Sequence, residues 1–447
     1  MRVAIADDRN LIYSDDYRDG WVAGFSALGA EVKVVDISVL RRAMRHRASP
    51  YSTRGQGQII KAAAQNIAGM KPDLVWCHHG RSASHPTFLE VFKRAGIPTA
   101  VYLCDEPYET GETATYSPRF DYVFTMDPCT IETHRLSRKN REPNVFYLPP
   151  GVDTHRFVSK PYFNAAGELR RKTPTFFLGN ADLVPRKDWL VPVEKAIEGA
   201  DIRFFPSRNR GRPVAKGDPR WVGLDQHAAL YSGCLVGLNV HRSPCITEDC
   251  FKMRVIGRSR HMPIPSGLKL AAAKPVEWGT GFWNEGNLPA AHVNPRFLEM
   301  AACGTLVVSD AHRSELRRLF PFAPQAQDPE HFLELVFYYL HHPKEAQEIG
   351  QACSFQISKR HTYRHRAAEV LTRVGLMAPG EGSHASSLGE PTDWLTTQDL
   401  EVLGVSSSSG PTGPFERWSP AFGKSWMQGS GRVSAASSTD APTPWLS

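Results

Sequence analysis

Nowhere in its 447 residues does the chain hold an apolar run long enough to cross a bilayer, which argues against an integral helical membrane protein. A basic, apolar leader is missing too: the opening M-R-V-A-I-A-D-D reads as a buried strand meeting acidic residues, and a cytoplasmic location is expected. None of the eight cysteines forms a C-x-x-C pair, which argues against a dithiol redox motif. Cys77, Cys104, Cys234 and Cys303 lie in apolar runs, where free thiols behave as small core residues in a reducing compartment. His241, Cys245, Cys250 and His261 cluster in sequence, but their spacing fits no common zinc module, and no metal is expected. A strong charge of one sign is also missing. The net +7 permits an anionic partner such as a nucleotide or nucleic acid without requiring one.

What is present is a soluble globular composition, 41% hydrophobic and 22% charged, in a chain long enough for two domains with sizeable cores. The first third alternates strand and helix patterns: strands at Val3–Ala6, Glu31–Asp36, Asp73–Cys77, Thr99–Cys104, Tyr122–Met126 and Val145–Leu148, with helices near Gly20–Leu28, Gln58–Ala68 and Pro86–Ala95. Nearly all-apolar strands that alternate with helices predict a parallel sheet covered on both faces. After P-P-G-V-D (Pro149–Asp153) and a basic stretch at Arg170, Arg171 and Lys172, the alternation restarts at Thr175–Leu178. It continues through Ile202–Phe205, Val236–Val240, a helix carrying Arg296, Thr305–Ser309, and helices near Phe332–Leu340 and Ala346–Ile357. The expected fold is α/β: two Rossmann-like doubly wound domains, 1–155 and 170–360, facing across a cleft in which ligands bind. A long irregular insertion at 244–293 carries basic and aromatic residues, and the Ser-, Gly- and Pro-rich tail from 376 to 447 reads as disordered.

Val293 to Asp310, V-N-P-R-F-L-E-M-A-A-C-G-T-L-V-V-S-D, holds the strongest site signal. A helix opening at Asn294-Pro295 points its N–H groups forward and favours a phosphate there, and Glu299, one turn in, is placed to grip a ribose. An ordinary helix packed closely on a sheet reads the same way in isolation. In F-F-L-G-N-A-D-L-V-P-R-K-D-W, Gly179 and Asn180 end a strand where backbone can approach a ligand, and Arg186 and Lys187 follow where they could offset a diphosphate. In the first domain C-H-H-G-R-S and C-D-E-P-Y both follow buried strands, so His79, Asp105 and Glu106 are candidates to take a proton from a substrate hydroxyl. Such acids are also ordinary helix caps. No D-x-D triplet occurs, which removes the usual carboxylate pair for a metal held on a diphosphate. Finally, R-N-R-G-R-P (Arg208–Pro213) contains an R-G-R-P core suited to an A·T minor groove, and makes Arg210 and Arg212 candidate nucleic-acid contacts.

With these residues in view the chain resembles GT-B fold glycosyltransferases of the group-1 superfamily, and within them the branch named after the spore maturation protein CgeB. The likeness rests on G-W-V-A-G-F-S-A-L-G-A-E-V, the Cys104–Pro107 turn, L-P-P-G-V-D, V-G-L-N-V-H-R, the Arg296 and Glu299 helix and H-T-Y-R-H-R, and spans roughly residues 1 to 375. It implies transfer of a sugar from a nucleoside diphosphate sugar to a hydroxyl acceptor; with no D-x-D triplet, neither a metal nor a resident cofactor is expected. It also implies a ribose contact at Glu299 with Gly304 in the same donor-site helix, a diphosphate-binding loop around Gly179 and Arg186, and a closing helix at 361–375 crossing back to the first domain, while His241, Arg242, Asn294 and Arg296 complete the candidate donor site. Two features depart from the family pattern: Ala291 stands eight positions before Glu299 where many retaining members have a second glutamate, and Cys104, Asp105 and Glu106 occupy the turn where they place a histidine. Two other readings stay open: a nucleotide-sugar epimerase of the same fold, and a DNA-binding protein with a vestigial nucleotide site.

Overall fold

The computed structural model describes residues 1–8, 14–40, 52–138, 144–179, 185–204, 222–242, 288 and 290–379. Asn180, Arg210, Arg212, the Cys245 to His261 group, nearly all of 244–293 and the tail from 380 onward lie outside those residues.

The first sheet is built from β1 (Arg2–Asp7), β2 (Glu31–Asp36), β3 (Leu74–His78), β4 (Thr99–Leu103), β5 (Tyr122–Thr125) and β6 (Val145–Tyr147), in the order β2-β1-β3-β4-β5-β6. Every neighbouring pair runs parallel. β3 and β4 are buried at every position, the mark of strands covered on both faces. The connecting helices are α1 (Ser14–Ser26), α2 (Ser52–Gly69), α3 (Pro86–Ala95), α4 (Thr110–Tyr116) and α5 (Ile131–Ser137). The sequence stops and starts α3 in a local way. His85 Nδ1 accepts from the Thr87 amide, Pro86 sits in the first turn, and Gly96 ends the helix at φ 66°. Its inner face buries Phe88, Leu89 and Phe92. Each is worth about 1.5–3 kcal/mol by transfer from water.

The second sheet holds β7 (Thr173–Gly179), β8 (Asp201–Phe204), β9 (Cys234–Asn239), β10 (Leu306–Asp310) and β11 (Gln325–Ala326), in the order β11-β10-β9-β7-β8 and again parallel. Around it lie α6 (Arg186–Ala196), α7 (Leu224–Gly233), α8 (Pro295–Ala302), α9 (Ser314–Leu319), α10 (Pro329–His341) and α11 (Pro343–Arg360), and the chain ends its described helices with α12 (Tyr363–Val374). Arg171, part of the basic stretch before β7, is buried. It donates to the Cys234, Lys160 and Cys303 carbonyls and lies over the Tyr162 ring. It is an internal tie between the sheet and the linker.

Helix α12 follows the second sheet in sequence but packs on the first. Tyr363, Ala367, Val370 and Leu371 share a core with Trp21, Phe25 and Trp76. Gly20 and Gly24 let it approach α1, because a Cβ at either would collide with Tyr363. The chain passes between the domains twice, side by side: the Val152 amide donates to the His361 carbonyl at 2.9 Å and the Tyr363 amide to the Val152 carbonyl at 3.1 Å. Buried Arg366 binds the carbonyls of Pro149, Pro150 and Arg360 at this crossing. The architecture is two doubly wound α/β domains, the GT-B arrangement. Among the described residues no helix is long and apolar enough to cross a membrane.

Candidate functional site

Residues that follow β4 and β5 touch residues that follow β9 and β10, so the carboxyl edges of the two sheets meet along one seam. Carboxyl edges are where ligands gather in doubly wound sheets.

On the second-domain side, α8 begins at Asn294, whose side chain accepts from the Arg296 amide at 2.9 Å, with Pro295 in the first turn. The Asn294 carbonyl takes the Phe297 amide, and the Asn294 amide donates to His241 Nε2 at 3.3 Å. The helix start that was expected to present free N–H groups to a phosphate is thus capped from within. What it offers an anion is its dipole, not these amides. His241 Nδ1 donates to Asp310 Oδ1 at 2.7 Å, which fixes the neutral tautomer whose Nε2 can accept. Burial outweighs Asp310 and brings His241 down to about 4. The other Asp310 oxygen holds His312 at 2.8 Å.

Arg296 and Glu299 turn toward α7. Arg296 Nη1 donates to His227 Nδ1 at 3.0 Å and to the Tyr231 hydroxyl at 3.0 Å, and lies 3.5 Å from Glu299 Oε2. The Tyr231 hydroxyl donates to Glu299 Oε2 at 3.1 Å. Burial, and then the charge of Arg296, bring His227 down to about 3, so it stays neutral and accepts from the guanidinium. Arg296, expected at the diphosphate, lies beside Glu299 and braces it. Gly179 closes β7 with no room for a side chain: a Cβ would lie 2.7 Å from the Phe177 ring and 3.0 Å from Arg186 Nη1. Arg186 is buried at that edge and donates through Nε to the Val240 carbonyl at 2.8 Å. Lys187 is exposed in the first turn of α6. Gly304 sits at the opposite end of α8 from Asn294, at φ 72°, where a Cβ would strike Ser159. There it turns the chain into β10.

On the first-domain side, His79 Nε2 lies 3.2 Å from Asp105 Oδ2, and Arg242 Nη2 of the second domain lies 3.5 Å from Asp105 Oδ1. Burial alone would depress His79, but the hydrogen bond and charge of Asp105, with Glu109 beyond, push it up to about 9. The neighbouring Glu106 takes a different part. It is 0% exposed and closed in by the Thr110 and Thr113 hydroxyls and by His134 Nε2, so the structure removes it from the candidate proton acceptors. The reason is geometric: successive residues leaving β4 point opposite ways, one to the seam and one into the packing of α4 and α5.

Three parts of the seam were not anticipated. Asp127, after β5, accepts from the Ala291 amide at 2.9 Å, the His292 amide at 3.2 Å and His292 Nδ1 at 2.8 Å, clasping the segment that leads into α8. Burial depresses His292, while the His292 hydrogen bond and the amides more than offset burial at Asp127 and lower it. Buried Arg313 donates to the Ala290 and Arg242 carbonyls and to the Tyr108 hydroxyl, and the Arg242 guanidinium lies 3.2 Å above the Tyr108 ring. Glu315, which accepts from the Val293 amide, is pushed up to about 8 by burial. Asp127 follows its strand just as Asp105 does, so the strand-end rule that selected one could have selected the other.

Residues 283–372, which contain α8, β10 and most of α12, match a family described as glycosyl transferase-like. Among solved structures, the chain is similar to Anabaena HepE in complex with UDP, with a TM-score of 0.49 at 10% identity over 84% of this chain and 100% of that one. The same values hold for an alpha,alpha-trehalose-phosphate synthase (UDP-forming) from Burkholderia xenovorans in complex with glucose-6-phosphate. A sucrose-phosphate synthase from Thermosynechococcus elongatus gives a TM-score of 0.45 at 11% identity, over 83% of this chain and 97% of that one. No curated protein matches the chain.

Proposed function

We propose that this protein is a glycosyltransferase of the CgeB-like branch, moving a sugar from a nucleoside diphosphate sugar to a hydroxyl acceptor with no metal on the donor diphosphate. The observation that carries the reading is Glu299: a carboxylate one turn into α8, inside the segment that matches the glycosyl transferase-like family, held by Tyr231 and Arg296. Two acceptor oxygens on a braced carboxylate suit the paired hydroxyls of a ribose. The second domain is then the donor side and the first the acceptor side.

Each residue has a part in this scheme. Glu299 takes the ribose, and Tyr231 and Arg296 hold its carboxylate in place. Arg186, Lys187 and Arg242 offset the leaving diphosphate's charge, a task that needs fixed cations where charge develops. Asp105 accepts the acceptor's proton, a contribution of about 10²–10⁴ in rate for a well-placed base. His79, titrating near 9, carries a proton at neutral pH and therefore orients Asp105 instead of competing with it as base. Closing the domains over the donor excludes water from the transferring sugar.

The test is a thermal-shift and product-release screen of the full chain against a panel of nucleoside diphosphate sugars, beside Glu299→Ala. One donor should stabilise the protein and lose that effect in the variant. A panel in which no donor stabilises or turns over would sink the proposal.

A further inference from the structure

The turn after β4 gathers three different kinds of metal ligand. A ring nitrogen of His79, Cys104 Sγ and a carboxylate oxygen of Asp105 all lie within 4.8 Å of one another. Ligand atoms around a tetrahedral ion with bonds of about 2.0–2.3 Å stand roughly 3.3–3.7 Å apart, so small side-chain rotations would close the set. The backbone already aims them. Cys104 and Asp105 are consecutive residues leaving β4, and His79 sits at φ 70° with its amide donating to the Tyr102 carbonyl at 2.9 Å. A non-glycine residue in that conformation is strained and persists where its surroundings fix it. An imidazole, a thiolate and a carboxylate together suit a zinc-class ion and not the harder magnesium, which prefers oxygen alone. Arg242, 3.5 Å from Asp105 Oδ1, can keep that oxygen while the other binds metal, an outer contact of the kind that orients ligands.

We infer that His79, Cys104 and Asp105 bind a zinc-class divalent cation, and that the bound ion stops transfer by withdrawing Asp105 from the acceptor. Binding forms a metal–sulfur bond as the Cys104 S–H bond breaks and a metal–nitrogen bond as the His79 imidazolium gives up one ring proton, so two protons leave to solvent. No electron changes hands. Three protein ligands leave a fourth position open. The metal site stands on its own geometry. Its effect on turnover rests on the transferase proposal above.

The closing experiment separates the two. The full-length protein, kept reduced, is titrated with Co²⁺ as an optical probe. One equivalent should produce a thiolate-to-cobalt charge-transfer band with tetrahedral d–d absorption, and Zn²⁺ should bleach both. Cys104→Ser and His79→Gln, each checked for native near-UV circular dichroism, should lose the site's spectrum, and a Cys245→Ser, Cys250→Ser double variant should keep it. A band that survives in Cys104→Ser, a band lost in the double variant, or no band at saturating Co²⁺ overturns the site. With a working donor, Zn²⁺ should inhibit transfer, and Cys104→Ser should weaken that inhibition about 10-fold or more, since even an outer partner's loss costs about 10–100-fold in metal affinity. A cobalt site that forms while Zn²⁺ leaves transfer unchanged overturns the inhibitory part alone. The spectra need no turnover, so an absent transferase activity is told apart from an absent metal site.

Discussion

Replacing Asp127 by alanine tests whether one carboxylate fastens the two domains together. Three donors from Ala291 and His292 converge on Asp127 Oδ2, and the Cys129 amide donates to Oδ1 at 2.9 Å. Asp127→Ala strands the three donors in the seam at about 1–3 kcal/mol each. Water entry and relaxation offset part of this, and breaking buried pairs typically costs about 3–5 kcal/mol in total. Asp127→Asn keeps one accepting oxygen and loses the charge, for about 1–3 kcal/mol. Urea unfolding followed by tryptophan fluorescence and by circular dichroism gives the readout. The alanine variant should unfold at lower urea, with the two domains melting in separate steps. Because Asp127 titrates below the ordinary carboxylate range, its stabilisation is complete above that range and is lost as pH falls through the lowered folded value, so the acid limb of stability should flatten in the variant. A change under about 0.5 kcal/mol, the size of an ordinary surface substitution, with one cooperative transition retained, would refute the clasp.

Tyr231→Phe removes one hydrogen bond to Glu299 worth about 1 kcal/mol, so nucleotide affinity should fall by roughly 5-fold in calorimetric titration while the melting profile of the unliganded protein keeps its shape. Since His79 holds its proton up to about 9, kcat/KM should stay level through neutral pH and fall as pH passes 9, and His79→Gln should erase that limb. His241 and His227 titrate near 4 and 3, below the ordinary value of about 6.5. The unfolded chain therefore takes up protons across that interval that the folded chain refuses, and stability should drop as pH falls from 6.5 toward 4, less steeply in His227→Gln. Gly304→Ala forces a side chain into a left-handed turn at about 1–2 kcal/mol, and should lower the melting temperature while leaving nucleotide affinity unchanged.

The alternation of apolar strands with helices was enough to expect two parallel sheets, because burial on both faces leaves an unmistakable run such as Leu74–His78. Which strand-end residues meet was not legible. Asp105 and Glu106 are adjacent acids after one strand, yet one reaches the seam and the other is sealed beneath α4, a difference set by the turn of the backbone and not by residue type. Asp127 looks like any helix-capping acid until His292, 165 positions later, arrives beside it. Asn294 read correctly as a helix start, but only the folded chain brings its own side chain and His241 onto the amides a phosphate would want. Arg171 stands in a short basic stretch, and its burial under β9 depends on carbonyls more than sixty residues away in sequence, Cys234 among them.

Helix α12 also bears on how the chain is made. A ribosome releases the first sheet and α1, whose Trp21 and Phe25 cover Trp76, long before it releases Tyr363 and Leu371. Until then the side of α1 that α12 will pack against is uncovered. The N-terminal half is therefore not finished when its last strand emerges, and nascent chains must carry an unsealed core through the synthesis of the entire second domain, an exposure that favours chaperone capture. For the same reason a fragment ending at the close of the second sheet lacks part of the first domain's core.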